Sequence, residues 1–177
     1  MIKSKINSLK KAVEDSISAK NSLFLIEKKI NLAIEEIYKR IVKGGKVFLC
    51  GNGGSAADAQ HLAAEFLVRL RPEINRKPLP AISLSTDIST ITACGNDYSF
   101  DNIFSRNLEA LGCSKDILIA ISTSGQSKNI INVLKFAKKK NILSIAFLGK
   151  SGGKAIKEAN ISLMVKSKIT ARIQESH

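Results

Sequence analysis

The sequence predicts an α/β fold: a five-stranded parallel sheet with helices on both faces, preceded by two N-terminal helices. Three observations predict it. From Lys46 onward, short apolar runs alternate with stretches of helical periodicity, the pattern of a parallel sheet covered on both faces. Two of those runs end in loops of small residues that open helices, at 51–55 and 122–127. Ahead of them, two amphipathic stripes fill residues 1–43.

Taken in order, Ile2, Ile6, Leu9, Val13 and Ile17 fall at intervals of three and four, one face of a helix. Asn21 and Ser22 mark a break and a new N-cap. Ile26, Ile30, Ala33, Ile37 and Ile41 carry a second stripe to a stop at Gly44 and Gly45. One stripe can pack on the chain's own sheet; the other is left for a neighbouring subunit, so an oligomer is expected. Strand 46–50 then leads through glycines into a helix over 55–70. Pro72 and Pro78 mark a loop before strand 79–84. Ser85, Thr86 and Asp87 cap a short helix through Ala93, residues 95–98 form a turn, and 100–111 is helical. Strand 116–121, helix 127–140, strand 142–148, helix 151–159 and strand 161–165 follow. Thr170 opens a final helix. No linker composition interrupts the series, so 1–177 reads as a single domain, with the N-terminal helices at 1–43 and the α/β core at 44–177.

The chain has 177 residues, 44% of them hydrophobic, enough for a proper core. Its net charge of +13 is spread over helix exteriors, and with 5% aromatics and no tryptophan it offers little stacking platform for single strands. A solvated basic surface that draws in a phosphorylated metabolite is the reading, with no nucleic-acid partner. No apolar run approaches the ~20 residues of a membrane span, and the N-terminus has no signal-peptide pattern. A cytoplasmic protein without a membrane partner is expected. Cys50, Cys94 and Cys113 are odd in number and unclustered, as expected of reduced, buried thiols.

Two loops carry the chemistry. Gly51, Asn52, Gly53, Gly54 and Ser55 lie between a strand and a helix, where backbone N–H groups can hold an anion. The Gly-Lys-Ser/Thr ending of a nucleotide P-loop is missing, and the glycine spacing is not that of a dinucleotide fold. On the helix that follows, His61 and Glu65 are four apart, so both project from one face and could share a metal or a substrate; a plain surface pair is the bland alternative. Ser122, Thr123, Ser124, Gly125, Gln126 and Ser127 follow the third strand, hydroxyls and N–H groups making a neutral cradle for a phosphate monoester. A serine-rich N-cap is the alternative there. No lysine lies in either loop and no G-x-S-x-G elbow is present, which argues against γ-phosphate transfer and against a hydrolase triad.

The glycine run 51–55 with Ala56, Ala57, Asp58, Ala59, Gln60 and His61, then the serine loop, then Ala171, Arg172, Ile173, Gln174 and Glu175, together resemble the sedoheptulose 7-phosphate isomerases (phosphoheptose isomerases) of the sugar isomerase (SIS) domain superfamily. The resemblance covers essentially the whole chain and implies a flavodoxin-like, three-layer SIS fold. It implies that Ser122, Thr123, Ser124 and Ser127 hold the sugar phosphate, that Asn52, Gly53, Gly54 and Ser55 line the site, and that Asn96 and Asp97 match a substrate-contacting pair. It implies His61, Glu65 and Gln174 as metal ligands, usually for zinc, Gln174 also contacting substrate, and a homotetramer with sites at subunit boundaries. The reaction would be ketose–aldose isomerisation through an enediol, with Glu65 as base and a metal as Lewis acid. The product would supply ADP- or GDP-heptose synthesis for lipopolysaccharide core or capsule.

One departure stands out. Members of the family carry a further histidine about two turns after the position of Gln174, and this sequence ends at His177, which matches a different histidine. The reading is a truncated final helix, because two turns are too short to be stable alone. Two other functions fit the same motifs. One is a non-catalytic SIS scaffold that binds the bacterial replication initiator, which would not need Glu65. The other is a sugar-phosphate-sensing regulatory domain, which would need a DNA-binding module.

Overall fold

A computed structural model describes residues 9–177. Five strands, β1 (Val47–Gly51), β2 (Ala81–Ser83), β3 (Ile117–Ser122), β4 (Leu143–Gly149) and β5 (Ile161–Val165), form one all-parallel sheet in the order β2-β1-β3-β4-β5. The expected α/β class and five parallel strands are both present. Every residue of β1 and β3 is buried, which is why these strands read as unbroken apolar runs rather than alternating ones.

The helices divide between the faces. On one face, α2 (Glu27–Val42) and α3 (Gly54–Leu67) bring Ala33, Ala59 and Ala63 onto Val47, Leu49, Ile117, Ile119, Ile121 and Ile145. On the other, α4 (Ile88–Asp97), α5 (Ile103–Leu111) and α6 (Lys128–Lys139) pack Cys94, Phe104, Leu108, Ile130 and Leu134 against Phe48, Leu118 and Ala120. The alternating strand residues thus feed two separate cores.

Several local expectations change. Ile2 and Ile6 lie outside the described residues. Helix α1 (Leu9–Asn21) forms, but the break after it is a 3-10 turn over Ser22–Ile26, and α2 begins only at Glu27. Ser22 caps nothing: it is buried, donates to the Ala19 carbonyl at 2.6 Å and accepts from Lys166 N at 3.0 Å, tying the corner to the end of β5. Helix α3 stops at Leu67, and β2 is three residues long at a sheet edge. Asp87 caps α4 as expected, accepting from Thr90 N at 3.1 Å, but the helix absorbs the predicted turn and runs to Asp97. The helix expected over 151–159 is a single 3-10 turn, Ala155–Lys157, because Gly152 and Gly153 have φ of +76° and +53°, outside the helical range. Cys50 and Cys94 are buried, with burial pushing the Cys50 thiol far up, whereas Cys113 is exposed in the α5–β3 loop. Among the described residues no helix is long and apolar enough to cross a membrane.

The last helix, α7 (Thr170–Gln174), is five residues long and is clamped by its neighbours. Ile173 is fully buried beside Ala19 and Val165. Arg172 donates to the Ala12 carbonyl of α1 at 3.1 Å and pairs with Glu175 at 2.9 Å, and Ser16 donates to Glu175 at 3.0 Å. These contacts supply the order that so short a helix lacks by itself.

Candidate functional site

The strand order reverses between β1 and β3, so the loops leaving their carboxyl ends turn to opposite faces and open a crevice. The cleft there, about 220 Å³, is lined by Asn52, Ser55, Ser122, Thr123, Ser124 and Ser127, with Ile121 at its floor. The two motifs read separately in the sequence therefore meet. Ser122 Oγ accepts from Gly125 N at 3.1 Å and Ser124 Oγ from Gln126 N at 3.2 Å, which shapes the loop. Ser127 sits at the N-cap of α6 without a side-chain capping bond among the described residues, so its hydroxyl faces no competing role. The cleft is built of hydroxyls, an amide and helix N-termini, a composition that suits a phosphate monoester.

Gly53 caps α3, and Gly54 opens it. Gly54 is small for a reason outside its own loop: a Cβ there would meet the side-chain amide of Gln174 at 2.0 Å. The Arg-Ile-Gln-Glu segment thereby resolves into three directions. Arg172 and Glu175 hold α1, Ile173 enters the core, and Gln174 lies on the first turn of α3.

His61 and Glu65 lie further along α3, in a different pocket of about 270 Å³ shared with Leu62, Phe66, Leu70, Arg76 and Leu79. His61 Nε2 stands 3.5 Å from Glu65 Oε1, and Glu65 Oε2 is buried with no hydrogen-bond partner among the described residues. An imidazole facing a carboxylate with an unused buried oxygen suits a divalent cation such as zinc. Gln174 does not join them directly: its amide acts on Asp58, one turn before His61. Burial raises the Asp58 carboxyl above the usual range, with His61 and the Gln174 amide pulling it down. Among the described residues no three His, Cys, Asp or Glu side chains converge on one point.

Asn96 and Asp97 lie apart from both pockets, exposed at the end of α4, the Asn96 amide donating to Asp97 at 2.8 Å. His177 packs in an apolar cavity of about 170 Å³ with Leu23, Ile26, Ile30, Phe147, Leu163 and Val165, its ring 6.0 Å from that of Phe147. Burial lowers its pKa, against the weak pull of Leu148. It lines neither the cleft nor the His61–Glu65 pocket.

Three side chains were not singled out from the sequence. Arg76 donates to the carbonyls of Glu65 at 2.5 Å and Phe66 at 2.8 Å, closing the end of α3 beneath Glu65; a lone arginine in a proline-marked loop gives no signal of this. Asp58, whose carboxyl feels both His61 and the Gln174 amide, has a buried Oδ2 with no hydrogen-bond partner among the described residues, and its spacing of three from His61 was the available clue. Asn129, in the first turn of α6, is buried and bonded to Asn52; a polar amide so close to a helix start was the clue there.

A family model described as SIS domain matches residues 4–149. A phosphoheptose isomerase of Campylobacter concisus is 46% identical over 177 residues, covering all of this chain and 89% of that one. Another, from Sulfurimonas denitrificans, is 49% identical over 173 residues, 96% of this chain and 87% of that one. The solved structure of a phosphoheptose isomerase from Francisella tularensis superposes with a TM-score of 0.90 at 40% identity, covering 97% and 93% of the two chains.

Proposed function

The chain belongs to the SIS domain family and within it to the phosphoheptose isomerases, and from that premise we propose that it converts sedoheptulose 7-phosphate to D-glycero-D-manno-heptose 7-phosphate. The observation that carries this reading is the pairing on α3 of a phosphate-type cleft at its start with a buried carboxylate oxygen near its end, Glu65 Oε2, which has no hydrogen-bond partner among the described residues.

The cleft binds the 7-phosphate through the hydroxyls of Thr123 and Ser127 and the N-termini of α3 and α6, leaving the sugar to extend along the crevice. Glu65 takes the proton from C1 of the ketose and returns it at C2, while the hydroxyl proton moves from O1 to O2, so no atom is gained or lost. His61 stands beside Glu65 and Arg76 holds the backbone that carries it. A zinc ion would be held by His61 and Glu65, with Gln174 as a third ligand once its amide moves from Asp58 towards His61, and when bound it supplies Lewis-acid polarisation of the substrate oxygens.

The cradle and the His61–Glu65 pocket are separate in one chain, and Asn96 and Asp97 stand apart from both. A homotetramer whose sites combine residues from neighbouring subunits accounts for this. Its support is the stripe of α1: Leu9, Val13 and Ile17 are 82%, 48% and 54% exposed, although they form one apolar face. The whole chain acts as a single domain in such an assembly. The heptose phosphate then enters nucleotide-activated heptose synthesis for lipopolysaccharide core or capsule, as a cytoplasmic step.

Incubation with sedoheptulose 7-phosphate, followed by NMR for a new aldose, tests the reading. Binding without turnover would favour a non-catalytic scaffold instead.

A further inference from the structure

The two ligand loops approach the crevice from opposite faces of the sheet, and one side chain that the reaction does not use joins them. Asn129, in the first turn of α6, is 2% exposed. Its Nδ2 donates to Asn52 Oδ1 at 2.8 Å, and Asn52 Nδ2 donates back to its Oδ1 at 2.9 Å, across 77 positions of sequence. The second lone pair of Asn129 Oδ1 accepts from Ile130 N at 2.9 Å.

An amide buried this deeply is costly unless its hydrogen bonds are made, and asparagine is a weaker helix former than the alanine or leucine that could fill the same space. A cyclic amide pair holds its two backbones at a fixed spacing, because both bonds must be made in one plane. Asn52 is the residue between β1 and the Gly53 N-cap of α3, so fixing its side chain fixes the start of α3 relative to α6.

We infer that Asn129 is a positioning residue which, with Asn52, clasps the β1–α3 loop to the start of α6 and so sets the phosphate affinity of the cradle. The inference rests on the reading of the cleft as a phosphate site. Asn129 acts through Asn52, whose amide is half committed to the pair, leaving one N–H and one lone pair for a ligand.

A double-mutant cycle tests it. Inorganic phosphate binding is measured by calorimetry, and KM and kcat for sedoheptulose 7-phosphate by turnover, in wild type, Asn52→Ala, Asn129→Ala and the double variant. Circular dichroism checks that each is folded. Either single change opens the clasp completely, so Asn129→Ala weakens phosphate binding by about tenfold, Asn52→Ala by at least as much because it also lines the cleft, and the double variant is no worse than Asn52→Ala. The loss falls on phosphate affinity and KM more than on kcat. Additive losses approaching a hundredfold, or wild-type phosphate affinity in Asn129→Ala, would overturn the clasp. Should Asn129→Ala fail to fold, Asn129→Ser keeps an acceptor for Ile130 N and removes only the link to Asn52, with the same outcomes expected. A wild-type protein that does not bind phosphate overturns the reading of the cleft itself, and the clasp's function with it, whatever the variants do.

Discussion

Two residues on α3 separate chemistry from scaffolding. Glu65 has one oxygen near His61 and the other buried without a partner among the described residues, so replacing it with its isosteric amide removes the base while keeping the packing. Glu65→Gln is expected to fold normally, bind the sugar phosphate and lose at least ~100-fold in turnover. Steady-state kinetics with a thermal melt decide it, and turnover near wild type would remove Glu65 from the base role. Gly54 makes the complementary case. Its added Cβ would collide with the Gln174 amide, the movable end of a long side chain, rather than with backbone. Gly54→Ala should therefore hold or gain up to ~1 kcal/mol of stability, since alanine suits a helix better than glycine. Turnover is expected to fall by roughly tenfold to a hundredfold as Gln174 is displaced. Unchanged turnover would show that the place of Gln174 on α3 does not matter to the reaction. The type of each residue was legible in the sequence, but which glycine accommodates Gln174 was not, because 120 positions separate them.

Among the elements, β1 and β3 are aligned at their starts by a carboxylate that lies far from the chemistry. Asp116 is fully buried and accepts from Lys46 N and Cys113 N at 2.8 Å each, and from Lys46 Nζ at 3.1 Å. Burial pushes its pKa up, but these donors outweigh burial and hold it below the usual carboxylate range. A carboxyl that is more acidic folded than unfolded stabilises fully above the ordinary aspartate value of about 3.9. That contribution is lost as pH falls from there through the folded value. Asp116→Asn is expected to cost about 2 kcal/mol at neutral pH, within the range for hydrogen bonds to charged groups. The gap between variant and wild type should close below about pH 4, as read by urea denaturation across pH. A gap that is constant in pH would mean that the charge is not what matters. The sequence placed Asp116 at a strand start; its partner Lys46 is set by strand order, which periodicity does not report.

For the whole molecule, the decisive surface is α1. Its face of Leu9, Val13 and Ile17 was legible as amphipathic, and the structure leaves that face exposed while Ala19 is buried instead. Ile17→Glu is expected to split the proposed tetramer and abolish turnover while each subunit stays folded, because a charge in the apolar centre of an interface is strongly unfavourable. Sedimentation velocity with circular dichroism reads both; an unchanged mass would remove this stripe from the interface.

What the sequence determined by itself was local. The alternation of apolar runs with helical periods, the glycine and serine loops at strand ends, and the four-residue spacing of His61 and Glu65 all follow from rules that operate within a turn or two. The tertiary structure alone decided which of these meet. The order β2-β1-β3-β4-β5 brings Asn52 and Ser55 to the serine loop and Asn52 to Asn129. It seats Gln174 on Gly54 and leaves His61 and Glu65 in a pocket of their own. The physical reason is that side-chain periodicity fixes the face a residue presents, whereas the partner on that face is fixed by strand order and by the packing of helices far apart in the chain.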